Sequence, residues 1–284
     1  MEYLSPRSMD EALALLQKYG EKAIPVAGGT FFMSHRDELF TEVEALVDVK
    51  RLGLDYVRAE EGGLAIGAIT SLASILESSL VEQGPWRVIC DAIRGIEIPE
   101  IRNMATLGGA VLIGGAGDMP IPLLAMDAGV VIRGPGGRRT LSLDEFYLGF
   151  LSTALGPGEI ITEIRVPRVP DRTGSAFAKF TRVAVDLPIV NAAARITLEG
   201  GNRCRSVKIV LGGTADVPKR AEKAERLLAN GVINEQTITE AIATLDEIEY
   251  QTDIRASGEL RQRWAKAAVK RVLHEAARRA GGSD

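Results

Sequence analysis

Cysteine is nearly absent: Cys90 and Cys204 are the only two in 284 residues, and each stands alone. That excludes a disulfide framework, and it excludes a thiolate cluster of the kind that ligates iron–sulfur centres or structural zinc. Histidine is as scarce, with His35 and His274 far apart, so neither a histidine metal pair nor a Ser–His–Asp arrangement finds support. No run approaches the roughly 20 apolar residues that span a bilayer. The opening MEYLSPRSMDEAL lacks the basic-then-apolar layout of a signal peptide. The expectation is a cytoplasmic protein whose metal chemistry, if any, belongs to another chain. No glycine-rich stretch ends in the Lys-Ser or Lys-Thr of a P-loop, and none has the spacing of the Rossmann fingerprint, which argues against kinase, GTPase and ordinary NAD-dehydrogenase readings.

What is present is the composition of an ordinary globular protein, 46% apolar and 25% charged, long enough for two or three packed units. The net charge of −4 is unevenly spread. Residues 1–170 carry 15 Lys and Arg against 23 Asp and Glu, whereas residues 171–284 carry 19 against 15. The two parts read as separate units, neither basic enough for nucleic acid.

The chain opens as strand, helix, strand. Ser8 and Glu11 form a predicted capping box for a helix that runs to Gly20 and buries Ala12, Leu13 and Leu16. Ala23–Val26 and Ala45–Val49 are predicted strands, closing a small unit, 1–54. In 55–170, short apolar runs separated by glycine-rich turns are interrupted by helices at Ser71–Glu77 and about Trp86–Ile96, and Arg165–Arg172 reads as a proline-bearing linker. In 171–284, strands are predicted at Phe177–Val183, Asn191–Leu198 and Val207–Leu211, joined by the turn Glu199-Gly200-Gly201-Asn202. Helices follow at Ala221–Ala229, Thr237–Ile248 and Glu259–Ala280.

The informative features are glycine loops. Ala27-Gly28-Gly29-Thr30 follows a buried strand, so backbone amides without neighbouring side chains can approach a phosphate. Ala105-Thr106-Leu107-Gly108-Gly109 repeats the pattern, and Gly114-Gly115-Ala116-Gly117-Asp118 comes shortly after. A paired glycine alone more often just makes a tight turn. Two such loops, however, suit the two phosphates of one dinucleotide, with Asp118 as an acceptor for a ribose hydroxyl or adenine edge. Cys90 reads as a small buried hydrophobe, and Asp144-Glu145 and Asp246-Glu247 as helix-start or surface acids.

The set Pro25-Val26-Ala27-Gly28-Gly29-Thr30, Leu64–Leu72 and Ile101-Arg102-Asn103-Met104-Ala105-Thr106-Leu107-Gly108-Gly109 resembles the FAD-binding medium subunit of molybdenum hydroxylases, of the carbon monoxide dehydrogenase and xanthine dehydrogenase type. The resemblance continues through Asp118–Ala128, Pro157–Ile161, Phe177–Arg182 and Asp186–Ala193, and so covers nearly the whole chain. It implies an α+β fold: a two-part FAD-binding domain of the vanillyl-alcohol-oxidase (PCMH) type, followed by an α+β C-terminal domain with a small antiparallel sheet and helices that shields the flavin. Carried over by position, Ala27, Gly28, Gly29, Thr30 and Phe31, with Thr106, Gly108 and Gly109, line the pyrophosphate. Asp118 stands at the adenosine portion, Leu155 packs near the isoalloxazine ring, and Lys179 lies by the flavin's polar edge. A lysine there, read without the resemblance, is more often a solvated charge.

The resemblance further implies partners: a large molybdopterin subunit that oxidises the substrate, and a small subunit with two-iron two-sulfur clusters. NAD or another carrier takes the electrons from FAD. The sequence departs from the family at Phe31, where a polar residue is usual, and at Ala110, where Asn is usual. Those changes motivate an alternative, a scaffold subunit that has lost FAD. Another alternative is a free-standing FAD-dependent oxidoreductase acting on a small substrate.

Overall fold

The computed structural model describes residues 1–96 and 98–281, arranged around three main sheets. The first is parallel: β1 (Glu2–Leu4), α1 (Met9–Tyr19), β2 (Ala23–Val26), α2 (Thr30–Leu39) and β3 (Ala45–Asp48), with β3 between β1 and β2. Ser8 Oγ accepts the Glu11 amide at 3.1 Å, as the capping pattern requires. The Glu11 carboxylate, however, takes the amide of Arg7 at 2.8 Å rather than that of Ser8, so the box is displaced by one residue. Ala12 and Leu16 face the sheet, and Gly20, in the left-handed region at φ 57°, ends the helix by donating to Leu16 O.

The second sheet is antiparallel, in the order β4-β5-β10-β6-β7. It contains β4 (Val57–Glu60) and β5 (Gly63–Gly67), then, after the helices, β6 (Gly129–Gly134) and β7 (Gly137–Ser142). A two-stranded hairpin of β8 (Tyr147–Gly149) and β9 (Ser152–Thr153) precedes β10 (Ile160–Pro167). Among the described residues seven α-helices lie in this region where two were expected: α3 (Leu72–Glu77), α4 (Ser79–Glu82), α5 (Val88–Arg94), α6 (Pro99–Met104), α7 (Leu107–Val111), α8 (Pro120–Ala125) and α9 (Leu143–Phe146). Pro99 and Pro120 explain part of the difference, because each stands in the first turn of its helix, where no amide partner is lost. The linker expected from Arg165 is shorter than it looked. Residues 165–167 are the end of β10, and Pro167 occupies its last position opposite Gly63, where a missing N–H is tolerated.

The third sheet follows the order β11 (Thr173–Phe180), β12 (Val190–Leu198), β13 (Cys204–Gly212), β14 (Lys219–Arg220). β11 begins four residues earlier than the aromatic run suggested and stops at Phe180, three short of Val183. α10 (Glu222–Leu228) and α11 (Glu235–Ala243) come next; α11 starts at an Asn234 cap, and Thr244–Glu247 continues as a 3-10 turn. α12 (Gly258–Arg279) lies across β11 and β12, burying Ala265, Ala268, Val269, Val272, Leu273 and Ala276. This contact needs Gly174: a Cβ there would stand 2.0 Å from Ala276 O and 2.4 Å from Ala280 N. Gly174→Ala is therefore expected to cost about 2 kcal/mol and to lower the melting temperature by roughly 5 °C. A thermal unfolding curve superimposable on that of the parent would contradict it.

Cys90 and Cys204 are both free and wholly buried, and burial pushes their thiols up to about 12 and about 11. They fill core space as hydrophobes do. Among the described residues no helix is long and apolar enough to cross a membrane.

Candidate functional site

β2 delivers the chain into the first glycine loop, and α2 leaves it. Gly29 is the turning point, held in the left-handed conformation at φ 69° and serving as the N-cap of α2 without a side chain to cap the helix. The first amides of a helix have no partner within it. Here Gly28, Gly29, Thr30, Phe31 and Phe32 donate to no protein acceptor among the described residues. Five adjacent N–H groups at the positive end of a ten-residue helix, in a half-buried loop, form an open anion cradle. The Phe31 ring does not cover it as a capping group would. It stacks on His35 with centroids 4.2 Å apart and meets Phe40 edge-on, and His35 Nδ1 lies 3.0 Å from Phe31 O.

Gly28 joins this loop to the second one. A Cβ on Gly28 would sit 1.8 Å from Met104 O and 3.2 Å from Ala105 Cα, so the two backbones touch where the second loop begins. Sequence spacing could not show that the loops meet; the fold brings them together.

The loops are not equivalent. Thr106 caps α7 by accepting the Gly109 amide at 3.4 Å. The neighbouring amides are already committed: Leu107 donates to Thr70 O at 3.0 Å, Gly108 to Ala68 O at 2.8 Å, and Ala110 to Thr106 O. Gly108 lacks a side chain because a Cβ would stand 2.9 Å from that of Ala68, not because a phosphate must approach. Gly109 alone of this set is exposed. An equal two-handed grip, the picture suggested by the repeated pattern, gives way to a donor-rich first loop and a second loop that offers Gly109 and Thr106.

Asp118 and Lys179, expected at separate parts of the cofactor, are joined to each other. They form an ion pair, with Lys179 Nζ 2.9 Å from Asp118 Oδ2 and 3.0 Å from Gly95 O. Both are inside the protein, their side chains 5% and 11% exposed. The Asn191 amide donates to Gly117 O at 3.1 Å and to Asp118 Oδ1 at 3.4 Å, while Asn191 Oδ1 has no donor. Burial raises the Asp118 carboxyl, and Lys179 and Asn191 oppose that shift. Groups assigned by position to opposite ends of an extended dinucleotide thus face each other, and Lys179 is no solvated surface lysine. Leu155 is half-buried against the core that also holds Ala105 and Leu107, its amide 3.4 Å from Thr153 Oγ1.

Residues that sequence reasoning passed over complete the surroundings. Gly212-Gly213-Thr214 is a second Gly-Gly-Thr after Gly28-Gly29-Thr30, a signal visible in the sequence. Gly213, at φ 71°, donates to Gly115 O at 2.9 Å and so docks the third sheet on the segment before Asp118. A cleft of about 620 Å³ between Trp86, Glu61, Arg168 and Arg172 shares no lining residue with either glycine loop.

Residues 1–169 match the family profile described as the FAD binding domain in molybdopterin dehydrogenase, and residues 175–276 match the CO dehydrogenase flavoprotein C-terminal domain. The chain belongs to the FAD-binding subunits of the molybdenum hydroxylase family. Relatives of this flavin subunit include the carbon monoxide dehydrogenase medium chain of Afipia carboxidovorans, 32% identical over 98% of this chain and 97% of that one. The xanthine dehydrogenase FAD-binding subunit of Escherichia coli O157:H7 is 31% identical over 90% of this chain and 89% of its own. The solved CO dehydrogenase from Oligotropha carboxidovorans contains a chain that superimposes with a TM-score of 0.93 at 31% identity, covering 98% of each. The flavin subunit is therefore an oxidoreductase component, and its fold is the two-part FAD-binding domain with an α+β C-terminal domain.

The residues present fit FAD. The unpartnered amides of Gly28–Phe32 suit a diphosphate in number and polarity, and the departure at Phe31 leaves them intact because that side chain is engaged along α2. Ala110, the other departure, packs against the core of the second sheet.

Proposed function

We propose that this flavin subunit relays electrons within a cytoplasmic molybdopterin-dependent hydroxylase or dehydrogenase. It takes them from the two-iron two-sulfur clusters of a small partner subunit and delivers them to NAD or another external carrier. Substrate oxidation belongs to the large molybdopterin subunit. The observation that carries this reading is the open amide run Gly28–Phe32 at the start of α2, in a chain that matches carbon monoxide dehydrogenase medium chains almost end to end. FAD, when bound, exchanges electrons singly with one partner and in pairs with another.

The chain's own part is binding, orientation and exclusion of water. The open backbone N–H groups of Gly28–Phe32 and the Thr106 hydroxyl hold the diphosphate, with Ala27 and the exposed backbone of Gly109 beside them, and the α2 dipole favours its charge. Leu155 offers an apolar surface to the ring. The Lys179–Asp118 pair, net neutral and dry, lies beyond the second loop and secures the third sheet there. No acid or base need move a proton to a substrate in this role. The scaffold alternative loses its motive, since Phe31 does not block the amides.

The test is the purified protein's visible spectrum. Bound flavin at about one per chain is expected, and protein stripped of it regains the spectrum when given FAD. Protein that neither carries flavin nor takes it up would refute the reading. Flavin reduced by a small substrate in the isolated chain would favour a free-standing oxidoreductase instead.

A further inference from the structure

The uneven charge of the sequence has a counterpart at the seam between the first 170 residues and the rest. Lys179 pairs with Asp118, Arg195 with Asp127, Lys208 with both Asp127 and Asp144, and Arg279 with Asp91. Among the described residues, every ion pair that crosses the seam takes its acid from the first part and its base from the second. The surplus acids of one half and bases of the other are, in part, two faces of one contact.

One pair differs from the rest. Lys208 is buried, but Asp127 and Asp144 remain 45% and 44% exposed, so solvent reaches their acid side. In the Asp118 pair both members are buried. It also ties three separate pieces together: the Gly95 carbonyl beyond α5, the Gly117–Asp118 segment ahead of α8, and the third sheet through Lys179 on β11 and Asn191 on β12. Beside it, Gly213 docks on Gly115, where a Cβ would stand 3.0 Å from Val217 C. An enclosed carboxylate and ammonium that are each other's ion-pair partner cannot be separated cheaply.

We propose that Asp118 and Lys179 are positioning residues that clamp the C-terminal sheet onto the segment following the second glycine loop, and that this clamp governs how tightly FAD is held. The inference rests on the FAD-binding role proposed above. Neither residue touches the diphosphate; each acts through the other and through the placement of β11, β12 and the Gly115–Gly213 contact. The groups facing Asp118 are Lys179 from β11 and Asn191 from β12, and Gly95 O faces the Lys179 ammonium.

The chemistry dictates a signature that mere structural damage lacks. Lys179→Met leaves Asp118 buried with only Asn191 as a donor. Its carboxyl, already raised by burial, rises further, so the clamped form binds a proton that the open form does not. Clamping is then favoured at low pH and lost as pH rises through the raised value. Asp118→Asn added to Lys179→Met removes the titrating group, and with it the pH dependence.

FAD titrations of the full chain between about pH 6 and about pH 9 read this directly. Wild type is expected to show a nearly flat profile, and Lys179→Met to bind about 100-fold more weakly at the alkaline end, recovering about tenfold or more toward acid. The double variant is expected to bind within about tenfold of wild type at every pH. Equal, pH-independent losses in the single and double variants, or no loss in Lys179→Met, would overturn the clamp. A second reading needs no FAD: amide exchange protection of Asn191 and Gly213 in flavin-free protein falls in Lys179→Met as pH rises and returns in the double variant. Unchanged protection there refutes the clamp even in protein that binds FAD. If wild type binds no FAD while the variants show the exchange pattern, the relay and the clamp's hold on FAD are both refuted and only the docking of the third sheet by the pair stands.

Discussion

Gly28→Ala is expected to abolish tight FAD binding, raising the dissociation constant about 100-fold or more and lowering stability by about 3 kcal/mol. The added methyl would sit 1.8 Å from Met104 O and 2.7 Å from Met104 C. Both are backbone atoms at the end of α6, so no side chain can swing away. Relief requires the first glycine loop to part from the second, and that separation moves the amides of Gly28–Phe32 away from Thr106 and Gly109. A matched control is Gly62→Ala, where a Cβ would meet nothing. Flavin fluorescence titration and thermal unfolding of the two variants measure the effect. Gly28→Ala protein with the affinity of the Gly62→Ala control would show that the contact between the loops does not hold the cofactor site together.

Arg261→Met is expected to give the largest loss of stability away from the glycine loops, about 3 kcal/mol, or roughly 10 °C in melting temperature. Arg261 enters from the first turns of α12 and is 3% exposed. One of its nitrogens donates to Ile189 O at 2.6 Å and Gly213 O at 2.5 Å, and the other to Asp253 Oδ2 at 2.6 Å. Methionine keeps the apolar stem but strands the two carbonyls, and an unpaired buried acceptor costs more than the bond was worth. Asp253 is half-exposed and can return to water, so most of the loss comes from the carbonyls. Because Ile189 and Gly213 flank Asn191 and the Gly115 contact, the variant is also expected to weaken FAD binding. Calorimetry on the flavin-free chain tests the stability claim alone, and a transition unchanged from the parent would refute it.

Where a structural signal is local, the residues announced it. Ser8 before Met9-Asp10-Glu11 marks the start of α1, because a side-chain cap is read within three residues. The alternating faces of Gly258–Arg279 mark α12, because a helix of 22 residues repeats its apolar positions often enough to be seen. Gly29 marks a left-handed turn for the same local reason. The short helices α6, α7 and α8 were not legible in this way. Each spans five or six residues, less than two turns, and gains its stability from the surrounding core rather than from its own periodicity.

In the candidate site the division is sharper. Ala27–Phe31, Thr106 and Gly109 could be named from glycine pattern and resemblance, but that Gly28 touches Met104, and that the Gly108 amide is spent on Ala68, depends on segments far apart in sequence. Asp118 and Lys179 were each singled out, yet their pairing spans 61 residues and could not be read from their positions in the sequence. The sequence by itself determined the chemistry on offer: glycine bends for a phosphate, no thiolate set for a metal, and acid and base segregated into two parts of the chain. Only the tertiary structure decided which amides stay free and which charges neutralise each other. Hydrogen-bond capacity and charge are written residue by residue, but whether they are spent inside the protein depends on long-range contacts that chain entropy leaves open until the core closes.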